Sequence, residues 1–154
     1  MKKKGWIITI IILVVVACGG YLAYAMHAVS GKVPGHVYEY QGVNRQGTVY
    51  VAFSENSDKA VLTHSRDQAL KADQDATSFD QIYSETSKQG KWSYKASGSH
   101  LTLALVNGNS TSQWQYNKVM VLGKKIYAPS FTYQINNAGQ GVGKKMTSFT
   151  QIDQ

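Results

Sequence analysis

Residues 91–106 read KWSYKASGSHLTLALV, and this stretch decides the fold class. Trp92 and Tyr94 are separated by one polar residue, so both side chains lie on one face of a β-strand. A row of three alternating leucines follows, and residues 97–99, Ser-Gly-Ser, have the composition of a turn between the two rows. The stretch therefore predicts a β-hairpin with one aromatic and one aliphatic strand.

The same period-two alternation recurs along the chain, always in short segments bounded by turn residues. Residues 42–47, which include Asn44 and two glycines, provide the turn of the first predicted hairpin. Regular short strands of this kind predict an all-β domain, built as an antiparallel meander of seven to eight strands. Closing such a sheet protects its edges, so we expect either a small barrel or a sandwich of two sheets. Further strand candidates are residues 38–41, 49–53, 60–64, 114–116, 119–122, 125–128, 131–135 and 148–152.

One interval departs from the strand pattern. Ser65 with Gln68 forms a capping box, and alanine and leucine then recur near helical spacing, which predicts a helix over residues 66–75. Residues 79–86 are ambiguous between helix and strand. Tyr83 and Thr86 favour a strand, which would pair with residues 91–95.

The central hairpin also carries a family resemblance. Residues 90–94, Gly-Lys-Trp-Ser-Tyr, followed by the turn at Gly98 and by residues 101–103, Leu-Thr-Leu, resemble the repeated strand pair of small lipocalin-like bacterial surface lipoproteins. The resemblance covers about sixteen residues of the chain. It implies a lipocalin-like barrel at the bacterial cell surface and does not imply a particular activity.

The N-terminus carries a membrane-insertion signal. Three lysines, Lys2 to Lys4, precede 22 residues, Gly5 to Met26, that lack a charged side chain. A helix of this length spans about 33 Å, close to the thickness of the hydrocarbon core of a bilayer. Lysines beside a first apolar segment usually remain cytoplasmic, which places the rest of the chain outside. We therefore expect a signal or transmembrane segment over residues 1–26, a tether over 27–35 and an extracellular β-domain over 36–154.

Three fates of this leader compete. It is retained as an anchor in the first and preferred case, because residues 6–17 are dense in isoleucine and valine. In the second, Cys18 becomes a lipid-attachment site, since residues 15–19, Val-Val-Ala-Cys-Gly, resemble a bacterial lipobox. In the third, a signal peptidase cleaves after Ala25, at the end of an A-x-A pattern. All three leave the β-domain outside the cytoplasm.

Composition limits what the outer domain can do. Three of the sixteen basic residues lie in the leader. The other thirteen, together with nine acidic residues, give the outer domain a net charge of +4. A mild positive bias allows contact with an anionic envelope polymer, but the basic residues form no run, so nucleic-acid binding is not expected. Cys18 is the sole cysteine, which excludes a disulfide or a thiolate metal site in the domain.

Motifs for catalysis and cofactor binding are incomplete. Residues 139–145, Gly-Gln-Gly-Val-Gly-Lys-Lys, lack the first glycine and the final hydroxyl of a phosphate loop and are better interpreted as a loop between two strands. The four histidines have no metal-ligand spacing. Five acids between Asp67 and Glu85 provide candidate carboxylate pairs for glycoside cleavage, although a solvated helix face explains them more simply. We predict no cofactor, no metal site and no catalytic residues.

The aromatic rows are the remaining candidates for a site. Trp92, Tyr94, Trp114 and Tyr116 can share one face of neighbouring strands, where they form either a core or a stacking platform for an apolar or carbohydrate ligand. The sequence thus predicts a membrane-tethered, non-catalytic ligand-binding or interaction module of the bacterial cell envelope. Two alternatives are a small hydrolase of envelope polymers and an accessory or sensor subunit that docks on another membrane protein.

Overall fold

The computed structural model describes residues 2–41, 47–135 and 139–153 of the chain. Its secondary structure is mostly β, preceded by one long helix. The helices are α1 Lys2–His27, α2 Val29–Lys32, α3 Arg66–Ala72 and α4 Ala76–Thr86, and a single 3₁₀ turn spans Ser87–Gln89. The strands are β1 Val37–Gln41, β2 Val49–Phe53, β3 Lys59–Thr63, β4 Lys91–Ser97, β5 His100–Asn107, β6 Ser110–Asn117, β7 Met120–Leu122, β8 Lys125–Ala128, β9 Ser130–Ile135, β10 Gly139–Gly143 and β11 Thr147–Gln151.

The eleven strands form one antiparallel sheet that curls into a half-barrel, in the order β10-β9-β6-β5-β4-β3-β2-β1-β11-β8-β7. The all-β class and the antiparallel arrangement are confirmed. The predicted number of seven to eight strands is wrong. The individual strand candidates from the sequence correspond to β1–β9 and β11, and the strand without a predicted counterpart is β10.

The predicted central hairpin is confirmed, with Trp92 opposite Leu105 and Tyr94 opposite Leu103. The first hairpin is also present, since β1 pairs with β2 in antiparallel register. Its predicted turn lies mainly in residues 42–46, which are outside the described residues.

The predicted helix near residue 66 exists as α3, and the Ser65 side chain accepts a hydrogen bond from the Gln68 N–H at 3.3 Å, as a capping residue should. The predicted strand over residues 79–86 is wrong, because these residues belong to α4. Phe79 and Ile82 stand three positions apart, on one side of α4, and both are buried. This apolar face outweighs the strand preference of Tyr83, so β4 pairs with β3 and β5 instead of with residues 79–86.

The glycine-rich segment, residues 139–145, was predicted to be a loop, and this prediction is wrong for most of its length. Gly139–Gly143 is the edge strand β10, paired along its whole length with β9. The rings of Tyr133 and Phe131 occupy the space that side chains on Gly141 and Gly143 would need. A Cβ on Gly141 would lie 2.7 Å from the Tyr133 Oη, and a Cβ on Gly143 would lie 2.4 Å from the Phe131 ring. The glycines therefore let two aromatic rings pack directly on the edge strand.

Two cores lie on opposite faces of the sheet. The outer core is small and fills the space beneath α3 and α4, with Ala52, Val61 and Phe79 among its members. The larger inner core fills the concave side. It contains Val29 and Val33, which come from residues 27–35, the segment predicted as a tether.

The two ends of the half-barrel differ. At one end, the "anchor end", are the β2–β3, β4–β5 and β7–β8 turns, and there the Val119 N–H donates to the Ser99 carbonyl at 2.8 Å. The α2 turn enters at this end, where the Tyr38 hydroxyl donates to the Lys32 carbonyl at 2.6 Å. The opposite end, the "open end", is where β2 and β4 begin and β9 finishes. Core residues near it are only partly buried.

Among the side chains of α1 that the structure describes, residues 10–27, the buried one lies near the C-terminus of the helix. Ala25 is fully buried, whereas the large apolar side chains between Ile10 and Tyr24 are 44–66% exposed. Within the described residues, α1 is the one helix long and apolar enough to cross a membrane, a property that signal sequences share.

Replacing Val33 by alanine should destabilise the domain, because the side chain is fully buried in the inner core. The expected loss is about 2 kcal/mol in the free energy of unfolding, measured by denaturant titration of the full chain in detergent. Ser30→Ala is the matched control, since Ser30 is exposed on α2, the short helix that ends directly before Val33. Equal stability of the two variants would show that residues 27–35 do not belong to the core.

Candidate functional site

The four predicted ligand-binding residues lie on the concave face of the sheet. In the register of β4, β5, β6 and β9, Tyr94 is opposite Leu103, which is opposite Trp114, which is opposite Tyr133. Residues directly opposite one another in an antiparallel sheet point to the same side. The alternation therefore places Trp92 and Tyr116 on that side as well.

Tyr94 and Tyr116 form part of the floor of the concave face. The Tyr94 hydroxyl donates to the Ser54 carbonyl at 2.6 Å, and the Tyr116 hydroxyl donates to the Tyr40 hydroxyl at 2.8 Å. Tyr116 is only 3% exposed, and burial raises the pKa of its hydroxyl well above the usual value. Both rings are buried and both hydroxyls are hydrogen-bonded, so these tyrosines stabilise the core of the half-barrel.

Trp92 and Trp114 lie closer to the open end and remain partly exposed. Their rings stack with centroids 5.5 Å apart and an interplanar angle of 29°. A flat ring inserted between them would need a separation of about 7 Å, twice the normal carbon–carbon contact distance. The pair is therefore closed, and a ligand would stack on its exposed side.

Other partly buried side chains surround this tryptophan pair. The strand register places Leu105 and Ser112 beside Trp92, and Leu103 and Tyr133 beside Trp114. Aromatic and aliphatic neighbours of this kind suit a ligand with a flat apolar face. The neighbours that pack on the inner core are Tyr40, Val49, Leu62 and Phe131.

A second concave feature lies outside the sheet. It is a groove of about 380 Å³ between the β2–β3 turn and the α3–α4 connection. Its lining includes four carboxylates, Glu55, Asp73, Asp75 and Asp80, together with Lys59. The sequence drew attention to the aspartates of the helical interval but gave no sign that Glu55 would join them.

Two of these carboxylates already have structural partners. Asp75 caps α4 by accepting hydrogen bonds from the Ser78 N–H at 2.8 Å and the Ser78 hydroxyl at 3.0 Å, which lowers the pKa of its carboxyl. Asp80 accepts from the Lys59 ammonium at 2.8 Å.

Asp73 is the most perturbed acid of the groove. Partial burial, reinforced by the negative charges of Asp153 and Glu55, raises its pKa from 3.8 to about 6, and His36 partly opposes the shift. His36 in turn contacts Asp153, with 2.6 Å between Nδ1 and Oδ2, while the Val37 N–H donates to Asp153 Oδ1 at 3.0 Å. A polar cluster thus connects the start of β1 to the residues after β11.

The remaining sequence candidates are dispersed. Cys18 is exposed on α1, well before the buried Ala25. His64 contacts the Thr48 carbonyl at 2.9 Å, away from His36. In the part of the chain that the structure describes, no group of three His, Cys, Asp or Glu side chains is placed to hold a metal ion.

The raised pKa of Asp73 predicts a pH-dependent effect of Asp73→Asn. A carboxyl with a raised pKa binds its proton more tightly in the folded state, so its ionisation destabilises the fold as the pH rises from about 4 to about 6. The amide removes this penalty. Asp73→Asn should therefore be more stable than the parent above pH 6, by about 1 kcal/mol after allowance for solvent screening, and should match it near pH 4.

Asp75→Asn is the control, because the lowered pKa of Asp75 reverses the sign. This variant should be less stable than the parent at neutral pH and should approach it as the pH falls below the ordinary carboxyl range. Thermal unfolding at a series of pH values measures both effects. If the stability of both variants relative to the parent changes with pH in the same direction, the opposite pKa shifts of Asp73 and Asp75 are contradicted.

Comparison with protein-family models, with curated proteins and with solved structures yields no match to this chain.

Proposed function

We propose that this chain is a membrane-tethered, non-catalytic binding module of the bacterial cell envelope. In this proposal, α1 is a retained anchor, the β-domain lies outside the cytoplasm, and the tryptophan pair at the open end of the half-barrel binds a ligand through a flat apolar face. The class of ligand is an aromatic molecule or the apolar face of a sugar.

The partly exposed stack of Trp92 and Trp114 is the observation that supports the binding role. Two large aromatic side chains that remain partly exposed together keep a substantial apolar surface in contact with water. Covering that surface with a ligand releases the water, and the closed geometry of the pair means that no rearrangement is required first.

The exposed apolar surface of α1 supports the anchoring role. A helix whose large apolar side chains from Ile10 to Tyr24 face solvent would be unfavourable in water and is stable in a bilayer. Because α1 joins the domain at the anchor end, the tryptophan pair lies toward the opposite end, on the side away from the membrane.

A small hydrolase of envelope polymers is a second candidate, and the acidic groove favours it. A carboxyl with a raised pKa near other carboxylates is the arrangement that glycosidases use for general acid catalysis. Two of the four carboxylates cap a helix or pair with Lys59, which leaves Glu55 as the partner for Asp73. Under this candidate, purified protein cleaves peptidoglycan or a chito-oligosaccharide, and Asp73→Asn abolishes the cleavage.

A docking subunit would be expected to expose a continuous apolar patch. Beyond α1, the large exposed apolar side chains of the described part of the domain lie singly on four different segments. These are Val106, Leu122, Val142 and Met146. This distribution does not favour the docking alternative.

The binding proposal is tested by ¹⁹F NMR of full-length protein that contains 5-fluorotryptophan and is reconstituted in nanodiscs. The chain has three tryptophans, Trp6, Trp92 and Trp114, so the one in α1 serves as an internal reference. Titration with indole or with chitotetraose should shift the resonances of Trp92 and Trp114 and leave that of Trp6 unchanged.

Trp114→Ala should weaken binding of the probe about fivefold, equivalent to roughly 1 kcal/mol of lost aromatic contact. Tyr127→Ala provides the matched control, because Tyr127 is also a partly exposed aromatic residue and its neighbours Ile126 and Ala128 occupy the concave face. Shifts of equal size at all three tryptophans, or no shift with either probe, would count against the proposal.

A further inference from the structure

Basic side chains cluster on the segments that meet the anchor helix. Helix α1 packs against β7, and α2 lies between β7 and β4. Lys118 precedes β7 by two residues, Lys124 and Lys125 follow it, and Lys32 ends α2. All four lysines are exposed.

These lysines are not neutralised within the described part of the chain. The ion pairs there are His36–Asp153 and Lys59–Asp80, and neither involves the four lysines. Residues 27–32 and 118–125 contain no acid. The nearest acids along the sheet are Glu39, which is separated from Lys125 by Thr150 of β11, and Asp153, which is paired with His36.

The chain leaves little distance between the apolar helix and this cluster. His27 ends α1, and α2 begins two residues later with the fully buried Val29. Ala25, one turn before, is also fully buried against the domain. At 1.5 Å per helical residue, the last apolar turn of α1 lies within about one helical turn of the domain surface.

We propose that Lys32, Lys118, Lys124 and Lys125 form a basic collar that contacts the phosphate groups of anionic phospholipids around the anchor. This inference rests on the proposed retention of α1 as an anchor. With α1 in the bilayer, the collar lies at headgroup depth, where each lysine increases the contact population about fivefold. The collar holds the anchor end against the bilayer and directs the open end outward. Leu122, 38% exposed between the lysines, provides an apolar contact at the interface.

The test uses full-length protein in vesicles with a fluorophore on Leu122→Cys, in a Cys18→Ala background. A second protein carries the label on Thr111→Cys, an exposed position at the open end. The bilayer contains phosphatidylcholine and phosphatidylglycerol, and a trace of one of them carries a nitroxide near the top of its acyl chain. The ratio of quenching by the two labelled lipids measures the local enrichment of anionic lipid.

The label at position 122 should be quenched several-fold more by labelled phosphatidylglycerol than by labelled phosphatidylcholine. The label at position 111 should show little quenching by either lipid. Lys118→Gln with Lys124→Gln and Lys125→Gln should bring the ratio at position 122 close to one, as should about 1 M salt, which reduces the Debye length to roughly 3 Å. The control Arg66→Gln with Lys88→Gln and Lys91→Gln removes three charges at or near the open end and should leave the ratio unchanged.

Each failure has its own signature. If the protein floats with the vesicles but the two labelled lipids quench the label at position 122 equally, the basic collar is wrong and the anchor proposal stands. The same conclusion follows if the control variant abolishes the preference for phosphatidylglycerol. If the protein does not float with the vesicles, the anchor proposal and the basic collar both fail.

Discussion

The entry of α2 into the half-barrel is the contact on which the rest of the structure depends. Val29 and Val33 fill the anchor end of the inner core, and the Tyr38 hydroxyl binds the Lys32 carbonyl directly above them. The N-terminal helix is consequently connected to the domain by packing as well as by the peptide chain. A flexible linker would leave the domain free to tumble, whereas this packing fixes its orientation relative to α1.

This constraint links the two features that bear on function. Aromatic side chains become more exposed from the anchor end toward the open end, from Tyr116 in the core to the stacked Trp92 and Trp114. The same half-barrel thus has a closed end next to its apolar helix, with lysines near β7 and carboxylates at the β2–β3 turn, and a more exposed aromatic cluster toward its other end. With the helix in a membrane, as proposed, the aromatic cluster is directed into the surrounding medium.

The sequence was informative wherever side-chain alternation is the determining factor. The central hairpin, the first hairpin and the capped helix at residue 66 were predicted because each has a local signal. Helix α4 was missed because its apolar face, Phe79 with Ile82, becomes decisive only against the outer face of β2 and β3. β10 was missed because its glycines produce no alternation of apolar and polar side chains. The space left by these glycines is occupied by the rings of Phe131 and Tyr133 on the neighbouring strand. The candidate aromatic face could be predicted from spacing. The acidic groove could not, because Glu55, Asp73, His36 and Asp153 are brought together from distant parts of the chain.

The position of β11 has a consequence for how the domain forms. β11 lies between β1 and β8, and the contact that follows it joins His36 to Asp153, 117 positions apart. β1 emerges from the ribosome early, yet its second neighbour in the sheet does not exist until residues 147–151 have been synthesised. If the chain is exported, the half-barrel is therefore completed after translocation. Until β11 has paired with β1, one edge of β1 is unpaired and can form wrong strand pairings, a risk that chaperones or rapid synthesis would reduce.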